Sequence, residues 1–405
     1  MSSGLILELL SCLPAAQNLC LCGGVVLNSV LNGKITREGG FDRVHIPNHP
    51  GDEGISIGCA AYVLGCDNAC AFLLSSFQGK DWSTEEIEDA LADFAPWIDV
   101  EDLTTQDPDS PGDTPLEVAA DRAAAMVASG KVVAWFQGRS EFGPRALGHR
   151  SLLADPRDKD MVNRINLKVK MREDFRPFAP SVLEEFAGEW FDGLTGDGSP
   201  YMSLTVPAKP GKREQIPAVC HVDGSSRIQT VQQAANPLYH RLISAFHRAT
   251  GVPMVLNTSF NIKGEPIVDS PEDALRSFLD SNGGMDALVL HNHVVTRKPF
   301  PLDEGNSQSE LTLMDQLMPS VVGPFISEVS ARSTGEVNTV RVMLGDGKWV
   351  QLDDDLQLAV LEAIESADGL STVAELLQEM DASADQGEVV DALHVLHRKR
   401  LVSFQ

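Results

Sequence analysis

Trp135-Phe-Gln-Gly-Arg-Ser-Glu-Phe-Gly-Pro-Arg-Ala-Leu-Gly-His-Arg-Ser151 follows directly on the apolar run Val132 to Phe136 and sets fixed positive charge on a glycine-hinged loop. Gly138, Gly143 and Gly148 let backbone approach a ligand closely, and Arg139, Arg145 and Arg150 can each present a planar fork to phosphate or carboxylate oxygens. From Arg139 to Arg176 there are ten Lys and Arg against six Asp and Glu, in a chain of net charge -26. A local reversal of sign on that background calls for an anionic ligand. The bland reading is a solvated basic face, but Phe142, Pro144 and Leu147 interleave with the cations and favour a fixed, half-buried loop.

Downstream, Lys168-Val-Lys170-Met-Arg172-Glu-Asp-Phe-Arg176 alternates apolar and basic residues, so Lys168, Lys170 and Arg172 would share one face of a strand if the period is two. Glu173 and Asp174 could instead neutralise that face as surface pairs worth about 0 to 1 kcal/mol each. A third piece, Val255-Leu-Asn257-Thr258-Ser259-Phe260-Asn261, reads as a strand running into hydroxyl and amide groups able to orient phosphate, though Asn-Thr-Ser is also ordinary turn chemistry. Arg227 is a further candidate cation.

The 405 residues allow two or three domains at roughly 100 to 200 residues each. A sequence pI near 4.6 opposes binding to nucleic acid or to an anionic membrane, while small anions remain compatible with it. No cleavable leader and no membrane span are read. The seven cysteines form an odd set spaced like core residues, and Cys66-x-x-x-Cys70 lacks a second pair for a metal, so a reducing, cytoplasmic setting is expected. His45, His49, Asp52 and Glu53 lie close together; Asp52, in a Gly-Asp-Glu-Gly turn, is the best placed of them to meet a metal. His291 and His293 read as structural, and His394 and His397 as helix-face residues.

Organisation follows from punctuation. Leu19 to Cys22 is a short strand closed by Gly23-Gly24, and Ile55 to Leu64 suits a closely packed helix. Ser83 with Glu86, and Thr114-Pro115 with Glu117, have capping-box spacing ahead of helices. The acidic stretch Asp99 to Pro111 reads as a boundary, giving an α/β chain with domains at 1–100, 112–300 and 310–405. Gly305 to Gln405 carries 17 acidic and 6 basic residues. It reads as a hairpin (Val340 to Leu344, Trp349 to Leu352), helices from Asp355, after Ser371-Thr372 and from Glu388, and a strand at Leu401 to Phe404. That succession suggests a small winged-helix-like α+β module, too acidic for DNA and suited to a protein contact or to a capping role.

These motifs, with Asn236-Pro237-Leu-Tyr239-His240 and Gly264-Glu265-Pro266-Ile267, resemble the O-carbamoyltransferase family of nodulation-factor and antibiotic carbamoyltransferases, from about Leu5 to Lys298. The resemblance implies part of an actin-like (ASKHA) domain followed by a domain like threonylcarbamoyl-adenylate synthases. The second would form carbamoyl adenylate from carbamoyl phosphate and ATP with Mg²⁺, and the first would pass the carbamoyl group to a hydroxyl of a small-molecule acceptor. It further implies that Arg145, Lys170, Arg176 and Arg227 hold carbamoyl phosphate and the nucleotide phosphates, with Arg139, Arg150, Ser259 and Asn261 completing the pocket. Gly23, Gly24 and Asn28 resemble the nucleotide-contacting turn of the actin-like domain, and Asp52 one of its metal ligands. The front half of that domain, which would bring paired histidines, has no counterpart. Fe²⁺ is therefore expected only if a partner protein, or a second copy of the chain, completes the site. Two other readings stay open: a threonylcarbamoyl-adenylate type synthase, and a nucleotide-binding or scaffold subunit without catalysis.

Overall fold

Helix caps set where the chain turns into the fold. In the computed structural model, which describes residues 2–14, 16–65, 75–104, 112–173, 175–194, 198–281, 283–298 and parts of 319–404, both expected capping boxes are formed. Ser83 Oγ accepts the Glu86 N–H (3.2 Å) and Glu86 Oε2 accepts the Ser83 N–H (2.9 Å). Thr114 and Glu117 exchange the same pair of bonds. Satisfying orphan N–H groups in this way stabilises a helix by about 0.5 to 2 kcal/mol.

The chain divides into two compact units, Met1–Leu91 with Val100–Thr296, and Ala92–Asp99 with Arg297–Gln405. No boundary separates 1–91 from 100–296, and residues 105–111 of the expected linker lie outside the described ones. The first unit opens with α1 (Ser2–Ser11), β1 (Asn18–Cys20), a 3-10 turn (Gly24–Leu27), α2 (Ser29–Glu38), β2 (Arg43–His45) and α3 (Glu53–Val63). It continues through α4 (Thr84–Asp93), β3 (Ile98–Asp102), α5 (Pro115–Ala128), β4 (Val133–Phe136), β5 (Arg150–Ala154), α6 (Met161–Lys168), β6 (Ala179–Leu183) and α7 (Glu184–Trp190). Then come β7 (Leu204–Pro207), β8 (Ser225–Val231), α8 (Pro237–Thr250), β9 (Met254–Ser259), α9 (Pro271–Asp280), β10 (Ala287–Leu290) and β11 (His293–Arg297).

One nine-stranded mixed sheet dominates, in the order β3-β11-β10-β4-β5-β9-β6-β8-β7. β10 runs parallel to β4 and β6 to β8, while β4–β5, β5–β9, β9–β6 and β8–β7 are antiparallel. Every residue of β4, β5, β6 and β10 is buried, as expected of strands covered on both faces. α5 offers Ala119, Ala120, Ala123, Ala124 and Val127 to α8, whose Leu242, Ile243 and Phe246 fill the space those small residues leave. Arg241 of α8 secures the pair, reaching Asp121 at 2.6 Å and Glu117 at 3.2 Å. The register places the start of β5 beside the end of β9, with Ser151 opposite Ser259. The loop before β5, the end of β9 and the start of β6 therefore meet at one end of the sheet.

The first 65 residues attach to that sheet through α2. Asn32 is fully buried and its Nδ2 donates to Ser203 O (2.9 Å) and Val26 O (2.6 Å), and Arg37 donates to Thr205 O (3.2 Å). β1 and β2 form only a two-stranded parallel pair. α3 forms as the Ile55–Leu64 run predicts, but none of its residues is buried: Tyr62 and Val63 are 89% and 82% exposed. Its small apolar residues thus make no packed helix within the unit, which corrects the expectation. The cysteine reading changes too, since Cys12, Cys20, Cys22 and Cys59 are exposed and Cys220 is half-buried. Cys66 and Cys70, like His394, His397 and the helix expected after Ser371-Thr372, lie outside the described residues. No described helix is long and apolar enough to cross a membrane.

In the second unit the expected hairpin is present as β14 (Val337–Leu344) and β15 (Trp349–Leu352), extended into three antiparallel strands by β13 (Phe325–Ala331). β12 (Pro319–Val321) pairs with β16 (Val402–Phe404), and α10 (Asp355–Ala367) starts where the sequence places it. Val360, Leu361 and Ile364 of α10 are buried, as are Val389, Ala392, Leu393 and Leu396 at helical spacing.

A Cβ on Gly33 would collide with the Thr205 carbonyl oxygen, so α2 can sit on β7 only with glycine there. Gly33→Ala is expected to lower stability by about 1 to 3 kcal/mol and to loosen residues 16–65 first. Thermal melting together with limited proteolysis would read this, and an unchanged cleavage pattern would count against the α2–β7 attachment.

Candidate functional site

The loop from Gly138 to His149 is folded around one carboxylate. Glu141 Oε1 accepts the backbone N–H groups of Leu147 (2.6 Å), His149 (2.9 Å) and Arg150 (3.3 Å). Gly148 has φ +106°, and a Cβ there would strike the Tyr239 ring. From the sheet, Asn257 Nδ2 donates to Ala146 O (3.2 Å), and Gln229 Nε2 to Leu147 O (2.8 Å). Asn257 Nδ2 also donates to Ser181 Oγ (3.0 Å), which donates to Gln229 Oε1 (2.6 Å). The two carbonyls directly after Arg145 are thus gripped by β8 and β9, the strands that carry Arg227 and Ser259 two residues from the gripping side chains. Residues two apart share a strand face, so grip and site lie on one side of the sheet.

On that side four cations converge. Lys170 is buried, and its Nζ donates to Ser259 O (2.6 Å), Ser259 Oγ (3.2 Å), Asn261 O (2.9 Å) and Asn261 Oδ1 (2.6 Å). Burial and the nearby Arg172 charge push its ammonium down to about 7. Burial, then the charges of Arg145 and Arg172, bring the Arg227 guanidinium down to about 10. Burial alone lowers Arg145. Neither Arg145 nor Arg227 has a hydrogen-bond or carboxylate partner among the described residues. Arg172 donates from Nε to Asn166 Oδ1 (2.7 Å) and lies over Phe178. Cations held together and half out of water, with the Glu173 charge acting on Arg172 alone, form a preorganised anion site, since a bound anion relieves the repulsion that folding imposes.

Between Lys170 and Arg172, Met171 sits at φ +41° and is half-exposed. A non-glycine residue held there costs about 1 to 3 kcal/mol and is met mostly at functional sites. That turn, with Lys168 closing α6, replaces the expected strand, so the basic residues are gathered by a helix end and not by period-two alternation.

Three residues expected at this site stand elsewhere. Arg150 is fully buried beneath the loop, donating to Gln137 O (2.7 Å), Gly138 O (2.9 Å) and His149 O (3.3 Å), with the Phe136 ring against its guanidinium. It ties backbone together and offers no fork to a ligand. Arg139 faces away, toward Gly79 O (3.3 Å) and Asp81 (3.7 Å). Arg176 is half-exposed and paired with Glu173 at 3.0 Å, the surface pairing that the sequence left open. It stands at the margin of the cluster, close enough for its charge to lower Arg172. Glu141, Gln229 and Ser181 were not singled out from sequence, and Asn257 stood there only as part of the polar strand end. Glu141 alone carried a signal, as the sole carboxylate inside the basic motif.

Of the amino-terminal candidates, Gly23 donates its N–H to Pro50 O (2.6 Å), and Asn28 Oδ1 caps α2 by accepting the Leu31 N–H (3.1 Å). Gly24 opens the 3-10 turn. Leu27 from this turn and Pro50, which accepts the Gly23 N–H, meet Phe142, Pro144 and Arg145 around one shallow hollow, so the Gly-Gly turn lies beside the basic loop. His49 is buried edge-on against Phe142 at 5.1 Å, and burial lowers its pKa. Asp52 and His45 are exposed, and no group of three metal-binding side chains occurs among the described residues. The residues present do not fit a resident iron site.

The Carbamoyltransferase N-terminus family matches residues 3–61 and the Carbamoyltransferase C-terminus family residues 124–297, together more than half of the chain. Nodulation protein NolNO of Sinorhizobium fredii is 41% identical over 70% of this chain and 40% of its own length. Nodulation protein NolO of Bradyrhizobium diazoefficiens is 40% identical over 71% and 50% respectively. Uncharacterized protein sll1178 of Synechocystis is 41% identical over 71% and 49%. The chain belongs to the carbamoyltransferase family and spans about half the length of the curated relatives it matches. Among solved structures, HypF of T. kodakarensis aligns over 63% of this chain and 31% of its own at 15% identity, with a TM-score of 0.30.

Because Lys170 is charged below about pH 7 and neutral above it, affinity for inorganic phosphate is expected to fall from pH 7 to 9. The fall should be up to about tenfold per pH unit beyond that of Lys170→Arg, whose guanidinium keeps its charge. Calorimetric titration across pH would check this, and superimposable profiles for the two proteins would remove Lys170 from the anion site.

Proposed function

We propose that this protein is the adenylate-forming component of an ATP-dependent O-carbamoyltransferase. The observation that supports this most is the meeting of Arg145, Lys170, Arg172 and Arg227 with Ser259 and Asn261, with Arg145 and Arg227 bonded to no carboxylate among the described residues, in a chain of the carbamoyltransferase family. Residues 112–300 would carry that chemistry, 1–100 the back part of the actin-like transfer domain, and 310–405 an accessory module.

In this reading Arg145 and Arg227, free of protein partners, take the phosphate oxygens of carbamoyl phosphate and of ATP. Hydrolysis of the carbamoyl phosphate gives phosphate and carbamate. A carbamate oxygen then bonds to the α-phosphorus of ATP while the bond to the β-phosphate oxygen breaks, leaving carbamoyl adenylate and pyrophosphate. The protein's contribution is positioning and charge stabilisation by cations already in place. The Glu173 carboxylate beside the cluster is paired with Arg176, so Mg²⁺ would arrive with the nucleotide. The carbamoyl group would then pass to a hydroxyl of a small-molecule acceptor.

Transfer would need the uncovered face of residues 1–65 to be completed. α3 carries Ile55, Tyr62 and Val63 in the open, and α1 carries Leu5 and Leu9. Exposed apolar side chains on two helices are the kind of surface that marks a protein contact. The matched relatives are about twice as long, and in this reading the front half of a carbamoyltransferase N-terminal domain is the cover. Any Fe²⁺ would depend on ligands from that cover.

Purified protein given ATP, Mg²⁺ and carbamoyl phosphate, each omitted in turn, is expected to release pyrophosphate only with all three present. Arg145→Ala should cut carbamoyl-phosphate affinity at least about tenfold, the scale of one charge-assisted bond, with an unchanged melting temperature. Release driven by bicarbonate and an amino acid, or unchanged affinity in Arg145→Ala, would contradict this function.

A further inference from the structure

The turn leading into β8 holds a histidine beside the cation cluster. The His221 N–H donates to Ser225 O (2.7 Å), and the Gly224 N–H donates back to His221 O (2.9 Å). Gly224 takes φ +79°, and a Cβ there would strike the Arg213 guanidinium, so the turn is fixed in this form. Ser225 and Arg227 lie two apart on β8 and therefore share the strand face that carries the cluster.

Side chains of this turn form a relay. Asp223 Oδ1 accepts the Ser225 hydroxyl (2.6 Å) and the Ser225 N–H (2.9 Å), and these bonds hold its carboxyl below the usual range. Ser225 Oγ also stands 3.2 Å from His221 Nδ1. The hydroxyl has a single proton and gives it to a carboxylate that can only accept, so Nδ1 is the donor in the second bond. A neutral His221 then carries its lone pair on Nε2. That nitrogen has no hydrogen-bond partner among the described residues and is open to solvent, whereas both ring nitrogens of His49 are sealed. The charged groups that act on the ring are Asp223, from its own turn, and Arg227, from β8. Burial lowers the pKa of His221 most, Arg227 lowers it further against the opposing pull of Asp223, and the ring is neutral at pH 7.

We propose that His221 is the general base of this site, activating the water that hydrolyses carbamoyl phosphate held by Arg145 and Arg227. The inference rests on the function proposed above. Nε2 takes a proton from water as the water oxygen bonds to the carbamoyl carbon, and the bond from that carbon to the bridging phosphate oxygen breaks. The departing phosphate takes the proton back from His221, leaving hydrogen phosphate and carbamic acid, which loses its acidic proton to solvent as carbamate. Arg227, near the ring, stabilises the leaving phosphate and favours the unprotonated base between turnovers. Ser225 and Asp223 act through His221, as positioning residues that fix its tautomer.

The test separates hydrolysis from adenylate formation by supplying carbamate directly, as ammonium bicarbonate, in place of carbamoyl phosphate. Pyrophosphate release by the full chain with ATP and Mg²⁺ is measured with each donor. His221→Gln and His221→Asn should cut kcat with carbamoyl phosphate at least about a hundredfold at nearly unchanged KM, the scale of a general base, while release with carbamate stays within about threefold of the parent. Ser225→Ala, which keeps the base but frees the ring, should slow the carbamoyl-phosphate route alone and by less. Rates equal to the parent's with carbamoyl phosphate, or equal losses with both donors in every variant, overturn the role of His221. A parent that releases pyrophosphate with neither donor overturns the proposed function, and this inference with it.

Discussion

Everything around the candidate site depends on holding Arg145, Lys170, Arg172 and Arg227 together, half out of water, with no carboxylate bonded to Arg145 or Arg227. Like charges at such a site oppose folding, so the chain must clamp them from behind. Glu141 does this within the loop by collecting three backbone N–H groups, and Gln229 with Asn257 does it from the sheet by holding the carbonyls after Arg145. Arg150 braces the same loop from beneath. Two kinds of positive charge therefore share one motif: Arg150 is spent on the fold, and Arg145 remains available to a ligand.

What could be read from sequence follows the range of the interaction. The capping boxes at Ser83 and Thr114 are local, since a hydroxyl and a carboxylate three residues apart close on each other whatever surrounds them. The strand Val133–Phe136 and the polar end of β9 were legible from composition. Arg150 and Arg145 could not be told apart, because what distinguishes them is the depth of a strand start fixed by pairing with a segment more than a hundred residues away. The Lys168–Arg172 alternation imitated a strand, and the positive φ at Met171 that breaks it has no sequence marker of the glycine kind. The fourth cation of the cluster, Arg172, was visible only as part of that supposed strand.

The apolar helix α3 reads as core, yet none of its residues is buried against the described elements. The chain belongs to the carbamoyltransferase family and spans about half the length of the matched relatives. The second unit is net acidic, with 17 acidic against 6 basic residues from Gly305 to Gln405, and has its own buried helical face on α10.

The most direct measurement is a crystal structure of the protein soaked with tungstate, a heavy phosphate mimic, read in anomalous difference density. The account predicts the strongest peak within hydrogen-bonding reach of Arg145 and Arg227, near Lys170. A strongest peak elsewhere on the molecule, with none at these guanidinium groups, would contradict it.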